Sequence, residues 1–98
     1  MEIGGLMNNK HKSCNDALYE VIASVSSKEE AKDLLADLCT PGEIVAMSQR
    51  ILAAKLLING CTYEQVIAST DLSSATLSRV SKCVKKGKGY TKFLQKDE

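Results

Sequence analysis

TYEQVIASTDLSSATLSRVSK, residues 62–82, carries the start and stop signals of two short helices set in succession. Thr62 and Gln65 have the spacing of a capping box: the Thr hydroxyl accepts from the backbone N–H three residues on, and the Gln side chain reaches back to the N–H of the cap. A short helix follows through Val66, Ile67 and Ser69. Thr70-Asp71-Leu72 reads as a tight turn, because Asp tolerates the left-handed backbone that such turns often need. Ser73 then caps a second helix through Ala75, Leu77, Val80 and Cys83. Val66, Leu72, Leu77 and Val80 are spaced to form a small shared core that fixes the crossing angle, and the same period turns Ser74, Ala75, Ser78, Arg79 and Lys82 outward.

Upstream, Thr40-Pro41-Gly42-Glu43 is the clearest boundary in the chain, with Thr as cap, Pro at the first helical position where its missing N–H is harmless, and Glu three residues after the cap. A long helix runs from there to Asn59-Gly60, which supplies the left-handed residue a helix end prefers. Ile44, Val45, Met47, Ile51, Leu52, Ala54, Leu56, Leu57 and Ile58 spread apolar surface around more than one face of it. Two explanations stand side by side: a second subunit covers part of that surface, or the helix is simply the centre of the core. Further upstream, Ser27 and Glu30 mark a helix with the stripe Ala31, Leu34, Leu35 and Leu38, and Ser13 caps an earlier one with Cys14, Ala17, Leu18, Val21, Ile22 and Val25 at spacings of three and four. Residues 1–12, with Gly4, Gly5, Asn8 and Asn9, are expected to be a loose tail, and residues 13–98 a single helical domain. At the other end, Gly87 and Gly89 interrupt the pattern before a short helix packed through Tyr90, Phe93 and Leu94.

Strand-period alternation is absent, so the fold class is all-α with about six helices. Ninety-eight residues fit one domain, and with no Trp and a single Phe the interior must be filled by Leu, Ile, Val and Ala. The absence of an apolar run of span length and of a signal-peptide pattern at Met1–Lys10 predicts a cytoplasmic protein with no membrane partner. Cys14, Cys39, Cys61 and Cys83 are widely separated, which excludes zinc-ribbon and thioredoxin-type spacing, so we expect reduced thiols and no metal site. An enzyme is the poorest fit. His11 is the sole His and lies in the tail, no phosphate-binding glycine motif is present, and Glu29, Glu30, Asp33 and Asp37 have the spacing of a wetted helix face.

Net charge is +1 but unevenly spread: residues 1–61 carry six Lys/Arg against eight Asp/Glu, and residues 62–98 seven against four. A basic segment beside a neutral body is the electrostatic footprint of phosphate binding. The second helix of residues 62–82 has the chemistry of a groove reader. Small Ser73, Ser74, Ala75 and Ser78 let a backbone approach base edges, while Thr76, Arg79, Lys82 and Lys85 reach phosphates or guanine edges. With no Asn or Gln on that helix, specificity must come through ordered water, DNA shape or Arg79. The expected partner is therefore double-stranded DNA. The alternative is a helical protein-interaction module without specific DNA binding, whose lysines only solvate its surface. Two residues depart from the usual helix-turn-helix pattern: Ile67 where Ala is common and Asp71 where Gly is usual.

Over residues 34–86 the chain resembles the Trp repressor family, in particular its Trp-repressor-like YerC/YecD branch. The resemblance is carried by Leu38-Cys39-Thr40-Pro41-Gly42-Glu43, by the stretch from Arg50 to Leu57, and by Ser74-Ala75-Thr76-Leu77-Ser78-Arg79, similar to the family's I-A-T-I-T-R recognition segment. It implies an interlocked homodimer with two DNA-reading heads, a repressor's role, and a near-palindromic site with half-sites one helical turn apart. It also places Ser74, Ala75 and Ser78 at base edges and Thr76 and Lys85 near the backbone. Arg50 and Arg79 fall where the family holds an indole between two arginines, with Thr40 near the ligand's amino group. Val80 and Cys83, however, replace a Gly and a Ser of the family pattern, adding volume and removing polarity. We therefore expect no cofactor and no tryptophan corepressor, although Thr40, Arg50, Arg79, Val80 and Cys83 outline a possible effector pocket.

Overall fold

The computed structural model describes residues 7–94. Six helices follow one another: α1 (Met7–Ser24), α2 (Lys28–Leu38), α3 (Pro41–Ile58), α4 (Tyr63–Thr70), α5 (Ser74–Lys86) and α6 (Gly89–Phe93), with no strand among the described residues. The fold is all-α with a helix-turn-helix, as the sequence predicts. The chain divides after Leu38 into two units, α1–α2 and α3–α6.

In the first unit, α1 begins at Met7, six residues before the Ser13 cap expected from the sequence, so the residues 7–12 assigned to a loose tail are helical. No Gly or Pro lies between Met7 and Ser13 to stop the helix, and a Ser inside a helix looks the same in sequence as a Ser that begins one. The remainder of the expected tail lies outside the described residues. Leu18, Val21 and Ile22 form the expected apolar stripe, yet all three are exposed, as is Leu38 at the end of α2. At the start of α2 the Ser27 hydroxyl accepts from the Glu30 N–H at 3.0 Å. The Glu30 carboxylate, however, turns to Ser26, accepting from its N–H at 2.8 Å and its hydroxyl at 3.0 Å, one residue earlier than a capping box requires. Those two donors hold Glu30 below its ordinary pKa.

The second unit contains the core. Its long helix starts on a complete capping box: Thr40 Oγ1 accepts from the Glu43 N–H at 3.1 Å, and the Glu43 carboxylate accepts from the Thr40 N–H at 2.8 Å. It ends at Asn59, and Gly60 follows with φ of +93°, a conformation closed to most side chains. A second capping box, Thr62 with Gln65, starts α4. Asp71 adopts φ 61° and ψ 18°, the left-handed turn residue expected there. Buried Thr70 donates its hydroxyl to the Val66 carbonyl at 2.7 Å and so leaves no unpaired polar group under the turn. Ser73 caps α5, accepting from the Thr76 N–H at 3.2 Å.

Ala53 and Ala54 of α3, Val66 of α4, and Leu77 and Val80 of α5 are the fully buried apolar residues. Leu72 in the turn packs against them, so the small core expected around the two short helices forms on α3. Ile67 stays 38% exposed, which is why a large residue is accepted where Ala is usual. The opposite side of α3 is uncovered: Val45, Ile51 and Leu52 are 41–55% exposed. In α6, Tyr90 and Leu94 pack on the core as expected, but Phe93 does not and stands 80% exposed. A one-turn helix can present only one narrow face inward, and Tyr90 and Leu94, four apart, take it.

Leu77→Ala should cost roughly 2–5 kcal/mol in urea unfolding, because it empties a fully enclosed site, whereas Ile67→Ala, at a partly open position, should cost only about 1 kcal/mol. Glu43 is held below its ordinary pKa by the backbone N–H and then the hydroxyl of Thr40. Its contribution is present above the ordinary glutamate value of 4.5 and is lost as pH falls through the lowered folded value. Glu43→Gln keeps an acceptor at that place, so its melting temperature should fall less steeply on acidification than that of the unaltered chain.

Candidate nucleic-acid interface and adjoining cleft

One side of α5 is fixed by the core. Leu77, Val80 and Ser81 are buried and Val84 is half-buried against the other helices. At roughly 100° per residue, this leaves Ser74, Ala75, Ser78, Arg79, Lys82, Lys85 and Lys86 on one arc of roughly 140° facing away. All seven are exposed. The first turn of this face is lined by small side chains and the last by lysines, so the helix is slim where it begins and cationic where it ends.

Ser73 and Thr76 stand apart from that arc. Ser73 is exposed, but its hydroxyl is engaged in the cap, accepting from the Thr76 N–H and donating to the Thr76 hydroxyl at 3.1 Å. Thr76 is half-buried and turned toward a cleft between α3, α5 and α6. It therefore lies off the exposed arc on which a phosphate contact was expected.

That cleft encloses about 430 Å³ and is lined by Arg50, Thr76, Arg79, Val80, Cys83 and Tyr90. Four of the five residues outlined from the sequence as a possible effector pocket meet there. The fifth, Thr40, is not in the lining; its hydroxyl is used at the start of α3. Arg50 comes from α3 and is half-buried; Arg79 comes from α5 and is exposed. Val80 belongs to the core and presents apolar surface to the cleft, so part of the floor is closed by carbon. Two lining residues were not among those outlined from the sequence: Thr76, which was assigned to the nucleic-acid face, and Tyr90. The place of Tyr90 in α6 was legible, but only the fold shows that α6 returns to the side of Arg79. Cys83 and Tyr90 also line an open groove of about 400 Å³, together with Ile51, Gly87, Gly89, Phe93 and Leu94.

Nothing else among the described residues gathers reactive groups. No set of three His, Cys, Asp or Glu side chains is placed to hold a metal ion, and the four cysteines are unbridged, with Cys14 exposed and the other three half-buried. No helix among the described residues is long and apolar enough to cross a membrane.

Comparison with known proteins bears on this geometry. The family profile described as Trp repressor protein matches residues 14–98. The uncharacterized protein YerC of Bacillus subtilis (strain 168) is 39% identical over 72 residues, covering 74% of this chain and 69% of that protein. The crystal structure of a Staphylococcus aureus protein described as a candidate Trp repressor superposes with a TM-score of 0.76 at 32% identity, covering 90% of each chain.

Proposed function

Because the chain belongs to the Trp repressor family, we propose that it is a sequence-specific DNA-binding transcriptional regulator, a repressor that reads the major groove as a homodimer in the cytoplasm. The observation that carries this is the exposed arc of α5. Small Ser74, Ala75 and Ser78 lie where a helix must come within reach of base edges, and Arg79, Lys82 and Lys85 follow on the same arc, positioned to neutralise phosphates. Arg79 is the side chain on this face whose planar fork best matches guanine O6 and N7. The rest of the specificity falls to water-bridged contacts and to duplex shape.

The dimer is supported by what a single chain leaves bare. Leu18, Val21, Ile22 and Leu38 in the first unit, and Val45, Ile51 and Leu52 on α3, are exposed large apolar residues in a chain of only 98. So much exposed apolar surface argues for a partner. A second copy interlocked through these residues would make 13–98 one domain with two reading heads. An interaction module without DNA binding would need the same apolar surfaces but has no use for a slim helix face continued by cations.

Tryptophan is not the corepressor in this proposal. Arg50 and Arg79 flank the cleft, but Val80 and Cys83 contribute apolar surface and a thiol where the family pattern has Gly and Ser, so an indole would be crowded and less well hydrogen-bonded. Any effector that fits must be another molecule.

The direct test is selection of duplexes from a random pool, followed by gel shifts at two salt concentrations. Specific binding should weaken steeply as salt rises, since each neutralised phosphate releases counterions. Arg79→Ala should lose about 1–3 kcal/mol on the selected site while sedimenting as the same dimer. Normal binding by that variant, or a monomer at micromolar concentration, would refute the proposal. Calorimetry should show no micromolar heat of binding for tryptophan.

A further inference from the structure

The charge on the stretch from Leu72 to Leu94 is not mixed in the way a solvated surface usually is. Between Leu72 and Leu94 the sequence has six cations, Arg79, Lys82, Lys85, Lys86, Lys88 and Lys92, and not one carboxylate. All six are exposed. Soluble surfaces ordinarily intersperse both signs, as residues 1–61 do with six Lys/Arg and eight Asp/Glu. Three of these cations, Lys86, Lys88 and Lys92, lie beyond the part of α5 that the proposed reading head uses.

The fold holds these three in place. The chain leaves α5 at Gly87, whose N–H bonds to the Cys83 carbonyl at 2.8 Å. A Cβ at that position would stand 2.6 Å from the same carbonyl oxygen, so the tight approach is open only to glycine. The turn folds α6 back at once, and Tyr90 and Leu94 anchor it on the core. Lys92 is two residues from Tyr90, or roughly 200° around the helix, which puts it on the solvent side, and Lys88 is exposed at the cap. The C-terminal lysines are thus carried on packed backbone rather than on a free tail.

Distance sets what they can touch. At about 1.5 Å per residue, Lys86 lies roughly 12–18 Å along the axis from the base-facing Ser74–Ser78 turn, more than half the roughly 12 Å width of a major groove. A helix whose first turn sits in the groove therefore carries Lys86 toward the sugar–phosphate wall, with Lys88 two residues on and α6 folded back beside α5.

We propose that Lys86, Lys88 and Lys92 form a second phosphate-gripping strip that holds duplex DNA outside the bases read by α5, so that each head binds flanking duplex of any sequence. This rests on the DNA-binding reading above. The strip supplies affinity and salt dependence, and the arc of Ser74, Ser78 and Arg79 supplies discrimination.

The test compares the unaltered protein with the triple variant Lys86→Gln, Lys88→Gln, Lys92→Gln on synthetic duplexes carrying the selected site, with long or trimmed flanks, over a range of salt. The substitutions are at exposed positions, and an unchanged thermal melt checks the fold. The slope of log affinity against log salt should become shallower by about 5 in the variant, roughly 0.9 for each of the lysines that the two heads of a dimer lose, with equal fold-losses on matched and mismatched sites. Trimming the flanks should weaken the unaltered protein and leave the variant unchanged. An unchanged slope in the variant, with Arg79→Ala still impaired, would overturn the strip alone. Failure of the unaltered protein to bind any duplex would overturn the DNA reading and the strip with it.

Discussion

The second unit depends on two consecutive alanines. Ala53 and Ala54 have no exposed surface, and their small size lets the backbones of α4 and α5 approach α3 closely enough for Val66, Leu77 and Val80 to close a core. With so little aromatic bulk in the chain, a thin core must be tight rather than large, since each apolar group contributes in proportion to the water it excludes. A larger residue at either position would push the helix-turn-helix outward and change the tilt of α5. The exposed arc of α5 is therefore set indirectly, by which of its residues α3 has room to accept.

Much of this was legible in sequence because it is local. Caps, turn residues and helical period are decided within four or five residues, so Thr40 with Glu43, Thr62 with Gln65, Asp71, Ser73 and Gly60 all adopt the structure their residue types predict. The misplacements also have physical causes. Ser13 sits inside α1 because nothing before it stops a helix, and Glu30 reaches Ser26 because a flexible carboxylate takes the better pair of donors. Phe93 is exposed because α6 has one narrow inward face and Tyr90 and Leu94 take it, a tertiary choice that a helix of one turn does not show as a period.

The exposed face of α5 was legible for the same reason as its buried face, because fixing Leu77 and Val80 fixes Ser74 and Ser78 by helical geometry. The cleft was only partly so. Arg50 and Arg79 are 29 residues apart, and the sequence brought them together only through a family resemblance. Tyr90 was out of reach because its contribution needs α6 folded back on α5. Thr76 lies between: its phase on the helix is evident, but the cleft that receives it exists only once α3 and α6 are in place.

The same geometry keeps two surfaces from competing. On α5, the residues that pack against the rest of the unit and the arc from Ser74 to Lys86 lie on opposite sides of one narrow cylinder, so what packs is not also presented to solvent. On α3, Ala53 and Ala54 face the core while Val45, Ile51 and Leu52 remain outside it. Uncovered apolar surface is thus on the helix that supports the head, and uncovered positive charge is on the helix the head presents. Apolar surface attracts a protein partner and repels nothing that is charged, whereas a carboxylate-free row of lysines favours a polyanion and disfavours a second copy of itself. Contact made through the apolar side of α3 would leave the α5 arc uncovered. Two copies facing each other through α5 would set like charges against each other, so the distribution of charge disfavours contact between copies through that arc.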